Sequence, residues 1–305
     1  MRVDRMICWL ALTLLAACAA DAQSMKLLHS QRSLYREVLV YEDGSERCMC
    51  FTRSCRVGRQ SCMDMKRPDH MVMNYPKMML AALYVNPQPR SILIIGLGGG
   101  TIPRALSQLL PQSSIDVVEI DPAVTQVAKQ YFLFATNERM RVTEADGRVF
   151  VKRAVREQRQ YDFVMLDAFD HEYIPEHLLT QEFLREVKAL LAPQGVLVAN
   201  TFSSSRLYDH ESATYATVFP RFYNLRRENR VIIAMNGELP PMAQLRATSL
   251  ALDARLQPFG IRSERLLPMF SDKRDWNPKA RVLTDQYSPA NLLNLKGGGS
   301  DANGE

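Results

Sequence analysis

The chain has 305 residues, of which 47% are hydrophobic and 23% are charged, and its formal net charge is +5. This length and composition fit one large globular domain, or one domain plus a small extension. Because the positive charge comes mostly from scattered arginines, with no long Lys/Arg run and no RNA-binding signature, we expect no nucleic-acid partner.

Residues 1–22 are predicted to be an export signal. A short charged start, "MRVDRM", precedes the apolar core "ICWLALTLLAA", which is too short to span a bilayer. The stretch "LAAC" ending at Cys18 resembles a bacterial lipobox, which predicts a periplasmic or membrane-anchored lipoprotein whose only membrane contact is a lipid on Cys18. Two alternatives stay open: simple secretion after "ADA", and a cytoplasmic protein that begins at Met25.

Residues 33–66 are predicted to form a small N-terminal β-hairpin domain. The run "LYREVLVYEDGSERCMCF" has alternating stretches on either side of an Asp-Gly turn, which is typical of a hairpin. Four thiols in this region can form two disulfides in three connectivities or remain free. A metal knuckle is a third alternative, but the spacing lacks the paired C-x2-C of common zinc sites, and we predict no metal. These cysteines are Cys48, Cys50, Cys55 and Cys62.

The region after a helix predicted at 69–85, which Pro76 interrupts, alternates between strands and helices. Apolar strands are predicted at 91–97, 115–121, 140–145, 161–168 and 195–202, with helices near 102–110, 122–133, 147–157 and 180–191. This alternation predicts an α/β fold with a Rossmann-like, doubly wound, mostly parallel sheet. Beyond it we expect a helix in "HESATYATVF", an antiparallel pair in "FYNLRRENRVIIAMN" and a helix at 241–257. The main domain is assigned to 67–290 and a flexible tail to 291–305.

A glycine-rich loop joins the first of these strands to its helix, in "SILIIGLGGGTIPRAL". Glycine at such a turn lets the backbone approach a ligand closely and adopt positive φ. A nucleoside-triphosphate loop needs a lysine before Thr101, which is missing, and the dinucleotide fingerprint lacks its third glycine at the same position. The loop glycines are Gly96, Gly98, Gly99 and Gly100.

Acidic residues follow the next strands at their carboxyl ends, where open α/β sheets bind ligands. Glu119 lies roughly 20 residues past the loop, as an acid that accepts both ribose hydroxyls does. Asp146 and Gly147 end the third strand, where an acid can take the exocyclic amine of adenine. Asp167 and Asp170 follow the fourth strand. Each acid alone could cap a helix, but the ordered set predicts an adenosyl site without phosphate.

This ordered set resembles the class I S-adenosylmethionine-dependent transferases, and more narrowly the spermidine/spermine synthase (polyamine aminopropyltransferase) family, from about Ser33 to Asn291. "LIIGLGGGTIPR", including Arg104, is similar to the family's "IGGGDGGxxR" loop. "VVEIDPAV" is similar to its ribose strand, "EADGRVFV" to its adenine-binding Asp-Gly, and "YDFVMLDAFD" to its catalytic loop. Gln60 and Tyr75 stand where the family has a substrate-facing glutamine and tyrosine. "LTDQYSPAN" resembles a C-terminal signature of extended relatives.

The resemblance implies transfer of an aminopropyl group from decarboxylated S-adenosylmethionine, a co-substrate, to a small-molecule amine acceptor such as putrescine. Asp167 would accept the proton of the attacking amine and position it, and Asp170 would hold the distal ammonium or share the task of Asp167. The sulfonium is already a good leaving group, so the resemblance implies neither a metal nor a permanently bound cofactor. A homodimer is a further expectation.

Three departures from the family keep other functions open. Gly99 replaces an aspartate that pairs with the donor's ammonium, "DAFDHEYIPE" replaces the catalytic loop's second half, and Pro76-Lys77 replaces polar and acidic residues. Gly99 suits a methyltransferase that uses intact S-adenosylmethionine. Export separates the protein from cytoplasmic S-adenosyl compounds, which suits a non-catalytic lipoprotein that binds nucleosides or polyamines.

Overall fold

The computed structural model describes residues 25–55, 58–168, 175–202 and 206–294. The predicted export signal, Asp170 and the part of the predicted tail after residue 294 lie outside these ranges. Across the ranges described, no helix combines the length and apolar character that a membrane crossing requires.

The N-terminal region is a four-stranded antiparallel sheet in the order β1-β2-β3-β4. The predicted hairpin is confirmed: β2 and β3 pair on either side of a turn in which Gly44 has a φ of 60°. The sheet begins earlier than residue 33, because β1 precedes that position. Its strands are β1 (Lys26–Arg32), β2 (Glu37–Asp43), β3 (Glu46–Cys50) and β4 (Arg59–Asp64).

The four cysteines of this sheet form two disulfides, Cys48–Cys62 and Cys50–Cys55. Cys48 and Cys62 are direct partners across β3 and β4, and all four side chains are buried. Of the alternatives that the sequence left open, the structure therefore contains one disulfide connectivity, in which none of these thiols is free to bind a metal.

We expect removal of the Cys48–Cys62 disulfide, by changing both residues to alanine, to lower the free energy of unfolding by about 3 kcal/mol. The reason is that this bridge closes a sequence separation of 14 residues in the unfolded chain. The matched control removes Cys50–Cys55, whose separation is 5, and should cost about 2 kcal/mol. Urea denaturation of the non-reduced proteins measures both, and equal or reversed losses would contradict the expectation.

The main domain is built on a seven-stranded sheet in the order β10-β11-β9-β8-β5-β6-β7. The strands from β5 to β9 pair in parallel, and β10 and β11 join antiparallel to β9. This confirms the predicted doubly wound sheet with its antiparallel pair. The strands are β5 (Ser91–Ile95), β6 (Ser114–Glu119), β7 (Met140–Glu144), β8 (Tyr161–Leu166), β9 (Leu191–Phe202), β10 (Phe222–Arg226) and β11 (Asn229–Met235).

Helices cover both faces of this sheet because its central strands are apolar on both sides. In β5, Ile92 and Ile94 pack into one buried cluster and Leu93 and Ile95 into another, as the alternation of side chains along a strand requires. The helices are α1 (Asn74–Leu80), α2 (Thr101–Leu109), α3 (Pro122–Tyr131), α4 (Gly147–Arg156), α5 (Gln181–Leu190), α6 (Leu207–Val218), α7 (Met242–Leu256), α8 (Ser263–Leu266) and α9 (Ala290–Asn294). Short 3-10 turns occupy Ala81–Tyr84, Glu176–Leu178, Gln257–Phe259 and Leu267–Met269.

Several helix boundaries differ from the sequence prediction, most of them by one to three residues. The helix expected from residue 69 begins at Asn74, so Pro76 lies in its first turn and does not interrupt it. A proline is tolerated there because the first N–H groups of a helix have no partner within the helix. Near the C-terminus of the chain, the short helix α9 extends to residue 294, which lies in the predicted tail.

The small sheet packs against α3, and this contact places it beside the carboxyl ends of the parallel strands. Val38, Val40 and Met49 of the small sheet form one buried cluster with Val124 and Val127 of α3. On β4, the Ser61 hydroxyl lies 3.4 Å from the Thr101 hydroxyl at the start of α2. The glycine loop is therefore enclosed between the two sheets.

Candidate active site

A cavity of about 560 Å³ opens at the carboxyl ends of β5, β6, β7 and β8. It lies where open α/β sheets bind their ligands. Gly99 is not among its lining residues, and Asp170 lies outside the described part of the chain. The other predicted site residues all line it: Gln60, Tyr75, Gly96, Gly98, Glu119, Asp146, Gly147 and Asp167.

The glycine loop adopts a backbone conformation that disfavours residues other than glycine. Gly96 has a φ of 101° and Gly98 a φ of 52°, which L-residues rarely adopt. A Cβ on Gly96 would overlap the carbonyl oxygen of Asp167. Glycine at this position therefore lets β5 and the segment after β8 meet at the base of the cavity.

Gly99 turns away from the cavity towards the small sheet. A Cβ at this position would stand 2.7 Å from the Ser61 hydroxyl and 3.2 Å from the Phe132 ring. An aspartate side chain therefore cannot be added here unless Ser61 moves. The packing of β4 against the loop gives a physical reason for the missing acid.

Glu119 is a rigid, buried acceptor beside the loop. One of its carboxylate oxygens accepts the N–H of Leu97 at 2.9 Å and the other the N–H of Asp121 at 3.0 Å. Burial raises the pKa of Glu119, while those two backbone hydrogen bonds lower it. Each oxygen keeps a second lone pair, so the fixed carboxylate can accept two neighbouring hydroxyls of a ligand.

Asp146 has two protein partners as well as a place in the cavity wall. One of its oxygens caps α4 by accepting the N–H of Val149 at 2.9 Å, and the other lies 2.8 Å from His177 Nε2. The helix-cap alternative is therefore realised. The adenine contact of Asp146 stays a prediction, and His177 is a site residue that the sequence did not single out.

The C-terminal "LTDQYSPAN" segment fastens the turn that carries His177. Arg148 on α4 forms ion pairs with Asp285 of this segment at 2.6 Å and with Glu186 at 2.9 Å, and it also donates to the carbonyl oxygen of His177. Ser288 donates to the carbonyl oxygen of Glu176. This C-terminal segment therefore stabilises the part of the cavity wall that contains His177.

Asp167 is a strongly perturbed acid of the site. Its side chain is half-buried in the cavity wall, and its carboxylate accepts a 2.9 Å hydrogen bond from Asn200 Nδ2 and is hydrogen-bonded to the Tyr75 hydroxyl. Burial raises the pKa of Asp167 to about 7, against the lowering effect of both hydrogen bonds. A carboxyl that titrates near neutral pH can accept and release protons under working conditions.

Tyr75 connects this carboxyl to the small sheet. Its hydroxyl lies 3.4 Å from the carbonyl oxygen of Gln60. Burial raises the pKa of Tyr75 well above its usual value, and the adjacent Asp167 raises it further. Tyr75 therefore stays a neutral donor, and the predicted pair of Gln60 and Tyr75 forms the side of the cavity next to Asp167.

Two more unpredicted residues belong to the site. Asn200 lies near the carboxyl end of β9, the last parallel strand. The rule that pointed to the acids, a polar residue at the carboxyl end of a strand, could have found it. Arg36 lines the cavity with its guanidinium 4.3 Å from the centre of the Phe51 ring. Its charge lowers the pKa of Glu119, and no sequence motif indicated it.

Comparisons with known proteins agree with this geometry. A family model of the spermine/spermidine synthase domain matches residues 69–224. A polyamine aminopropyltransferase of Vibrio vulnificus is 49% identical over 272 residues, covering 88% of this chain and 91% of that protein. Human methyltransferase-like protein 13, solved in complex with SAH, is 28% identical with a TM-score of 0.54, covering 72% of this chain and 100% of that one. A probable spermidine synthase from Corynebacterium glutamicum shares the fold, with a TM-score of 0.66 at 18% identity over 84% of this chain and 96% of its own.

Proposed function

The chain belongs to the spermine/spermidine synthase family of transferases, and from this premise we propose that it moves an aminopropyl group from decarboxylated S-adenosylmethionine to a small amine such as putrescine. The observation that carries the proposal is Asp167, a half-buried carboxyl with a pKa of about 7 that faces the same cavity as Glu119 and the glycine loop. Such a carboxyl can take a proton from an ammonium group and release it after turnover.

The donor would lie along the ends of β5, β6 and β7. Glu119 accepts the two ribose hydroxyls, and the glycine loop leaves room for the sugar and the sulfur. Asp146 and His177 border the adenine end. This arrangement needs no phosphate, since the loop lacks the lysine of nucleoside-triphosphate sites.

The reaction needs a neutral amine in line with a carbon beside the sulfonium. Asp167 accepts a proton from the acceptor's ammonium, and the freed nitrogen lone pair forms the new N–C bond. The C–S bond breaks, and its electron pair stays on the sulfur, which becomes the neutral thioether of methylthioadenosine. Tyr75 and Asn200 hold the carboxylate that takes the proton.

The direct test incubates the full chain with decarboxylated S-adenosylmethionine and putrescine and measures methylthioadenosine and spermidine. We expect both products in equal amounts. Release of neither from a folded protein that binds methylthioadenosine would contradict transfer and favour the non-catalytic binding role.

A second candidate is methyl transfer from intact S-adenosylmethionine. Two observations favour it: Gly99 removes the acid that would pair with a donor ammonium, and human methyltransferase-like protein 13 is similar to this chain. Competition calorimetry with the two donors separates the candidates. Tighter binding of the decarboxylated donor supports aminopropyl transfer, and tighter binding of the intact donor supports methyl transfer.

We expect Glu119→Gln to weaken binding of methylthioadenosine by about tenfold or more, which corresponds to at least one charge-assisted hydrogen bond. The amide keeps the shape of the side chain but loses the charge, and its NH2 group cannot accept from a hydroxyl. Calorimetry measures the change. Asp116→Asn, at the other end of β6 and paired with Arg141, is the matched control. Equal affinity in the wild type and Glu119→Gln would remove Glu119 from the ribose site.

We also propose that the protein is exported and anchored by a lipid on Cys18. The two disulfides support this, because such bonds persist in oxidising compartments. Changing Cys18 to serine is expected to move the protein from the membrane fraction to the soluble periplasmic fraction. Recovery of the wild-type protein in the cytoplasm, where the donor is made, would contradict export. It would agree with a protein that starts at Met25.

A further inference from the structure

We propose that Asn200 and Asn229 are positioning residues, a two-amide relay that keeps a hydrogen-bond donor directed at Asp167 and so maintains its proton-accepting form. This inference rests on the proposed function, in which Asp167 takes a proton from the acceptor amine. It extends the site to a hairpin residue that does not line the cavity.

The relay crosses two strands. Asn200 lies near the end of β9 and is buried, and its Nδ2 donates to Asp167 Oδ1 at 2.9 Å. Asn229 begins the neighbouring strand β11, and its Nδ2 donates to Asn200 Oδ1 at 3.2 Å. Both ends of the Asn200 amide are therefore occupied: the Asp167 carboxylate accepts from its NH2 group, and the Asn229 amide donates to its oxygen.

The orientation matters because the two ends of an amide have opposite roles. The oxygen only accepts hydrogen bonds and the NH2 group only donates them. A rotation of Asn200 by half a turn about its last side-chain bond would direct its oxygen at Asp167, which favours a protonated carboxyl. In the observed arrangement the NH2 group of Asn229 opposes this rotation, because a rotated Asn200 would present a second NH2 group to it unless Asn229 rotated too.

Asn229 is itself held in place relative to Tyr75, the other partner of Asp167. Arg227 N–H donates to the carbonyl oxygen of Asn229 at 2.8 Å, which closes the turn between β10 and β11. Asn74 on α1 donates to Glu228 in the same turn at 3.3 Å. One hairpin and one helix therefore position the two donors of a single carboxylate.

The relay acts against two influences that favour the protonated acid. Burial raises the pKa of Asp167, and the charge of Glu119 raises it further, whereas the donors Asn200 and Tyr75 lower it. Among the described residues these are the titratable or donating groups that act on Asp167. Loss of the relay therefore shifts the carboxyl towards its protonated form.

The test measures kcat/KM for the acceptor amine against pH for Asn200→Ala, Asn229→Ala and Asn229→Asp, because this ratio reports the pKa of the free enzyme. Loss of the Asn200 donor should move the acidic limb of the profile upwards by about one pH unit. The value of kcat/KM at pH 7 then falls about fivefold, since a pKa near 8 in place of 7 leaves about a tenth of the carboxyl ionised instead of half. The ratio recovers above pH 9, and the donor KM stays unchanged.

The two variants at position 229 test the orientation of the Asn200 amide. Asn229→Ala adds no charge and should shift the limb in the same direction but less, because Asn200 loses only the donor that holds its oxygen. Asn229→Asp is nearly isosteric but offers an acceptor in place of the donor and adds a negative charge. It attracts the NH2 group of Asn200 away from Asp167, its charge also favours the protonated carboxyl, and it should give at least the shift of Asn200→Ala. Asn236→Ala is the control, because this amide on the same hairpin bonds to Leu191 and Ala192.

A second readout does not depend on turnover. The carbon-13 resonance of the Asp167 carboxyl, assigned by its absence from Asp167→Asn, reports the titration directly. A wild type without transferase activity would refute the proposed function, and the resonance would still test the relay. Equal titration midpoints in the wild type, Asn200→Ala and Asn229→Asp would overturn the relay, as would a loss of kcat/KM that is the same at every pH.

Discussion

Replacing Asp167 by asparagine is expected to lower kcat about 10³-fold, within the range that general bases contribute, while the affinity for methylthioadenosine changes little. Asparagine keeps the shape of the side chain and its contacts with Tyr75 and Asn200 at the base of the cavity, but its amide cannot accept the proton of an ammonium. Rapid-quench measurement of methylthioadenosine release, together with calorimetry of the same preparation, checks both parts.

The pH dependence of stability supplies an internal control for this variant. The pKa of Asp167 is raised from 3.8 to about 7 in the folded protein, chiefly by burial. A group with a raised folded pKa gives stability that is full below its unfolded pKa and is lost as the pH rises through its folded pKa. The free energy of unfolding of the wild type should therefore decline between pH 4 and pH 7 more than that of Asp167→Asn.

An Asp167→Asn protein that is folded and keeps most of the wild-type kcat would exclude Asp167 as the proton acceptor.

The order of the elements and most of the site could be predicted because both depend on local sequence. Most of the parallel strands from β5 to β9 contain a short apolar run, although β7 (MRVTE) is largely polar. In a parallel sheet the residues that follow the strands meet at one edge. Glu119, Asp146 and Asp167 therefore fall together whatever the details of packing. The loop glycines follow from the same rule, because a close turn from strand to helix requires them.

What could not be predicted depends on contacts between distant segments. His177 reaches Asp146 only because Arg148 and the segment around Asp285 hold its turn in place. Asn229 reaches Asp167 only through Asn200 on another strand, and Asn229 alone carries no motif. The direction in which Gly99 faces is likewise a matter of how Ser61 on β4 packs against the loop. Periodicity and motif spacing contain no information on such pairings.

Gly96→Ala is expected to lower the free energy of unfolding by about 4 kcal/mol or to prevent folding, because two costs combine. A non-glycine residue at positive φ costs about 1–2 kcal/mol, and Gly96 has a φ of 101°. The added methyl group would also overlap the backbone carbonyl of Asp167, which cannot rotate away as a side chain can. Such overpacking costs about 1–3 kcal/mol.

Gly44→Ala isolates the first of these costs. Gly44 has a φ of 60°, and a Cβ there meets nothing within 4 Å. The free energy of unfolding of Gly44→Ala should therefore fall by only about 1–2 kcal/mol, and nucleoside binding should not change. Urea denaturation and calorimetry with methylthioadenosine distinguish the two variants. A Gly96→Ala protein that is as stable as Gly44→Ala and binds the nucleoside normally would mean that the segment after β8 can retreat from the loop. The close contact between Gly96 and Asp167 would then not be what sets the floor of the cavity.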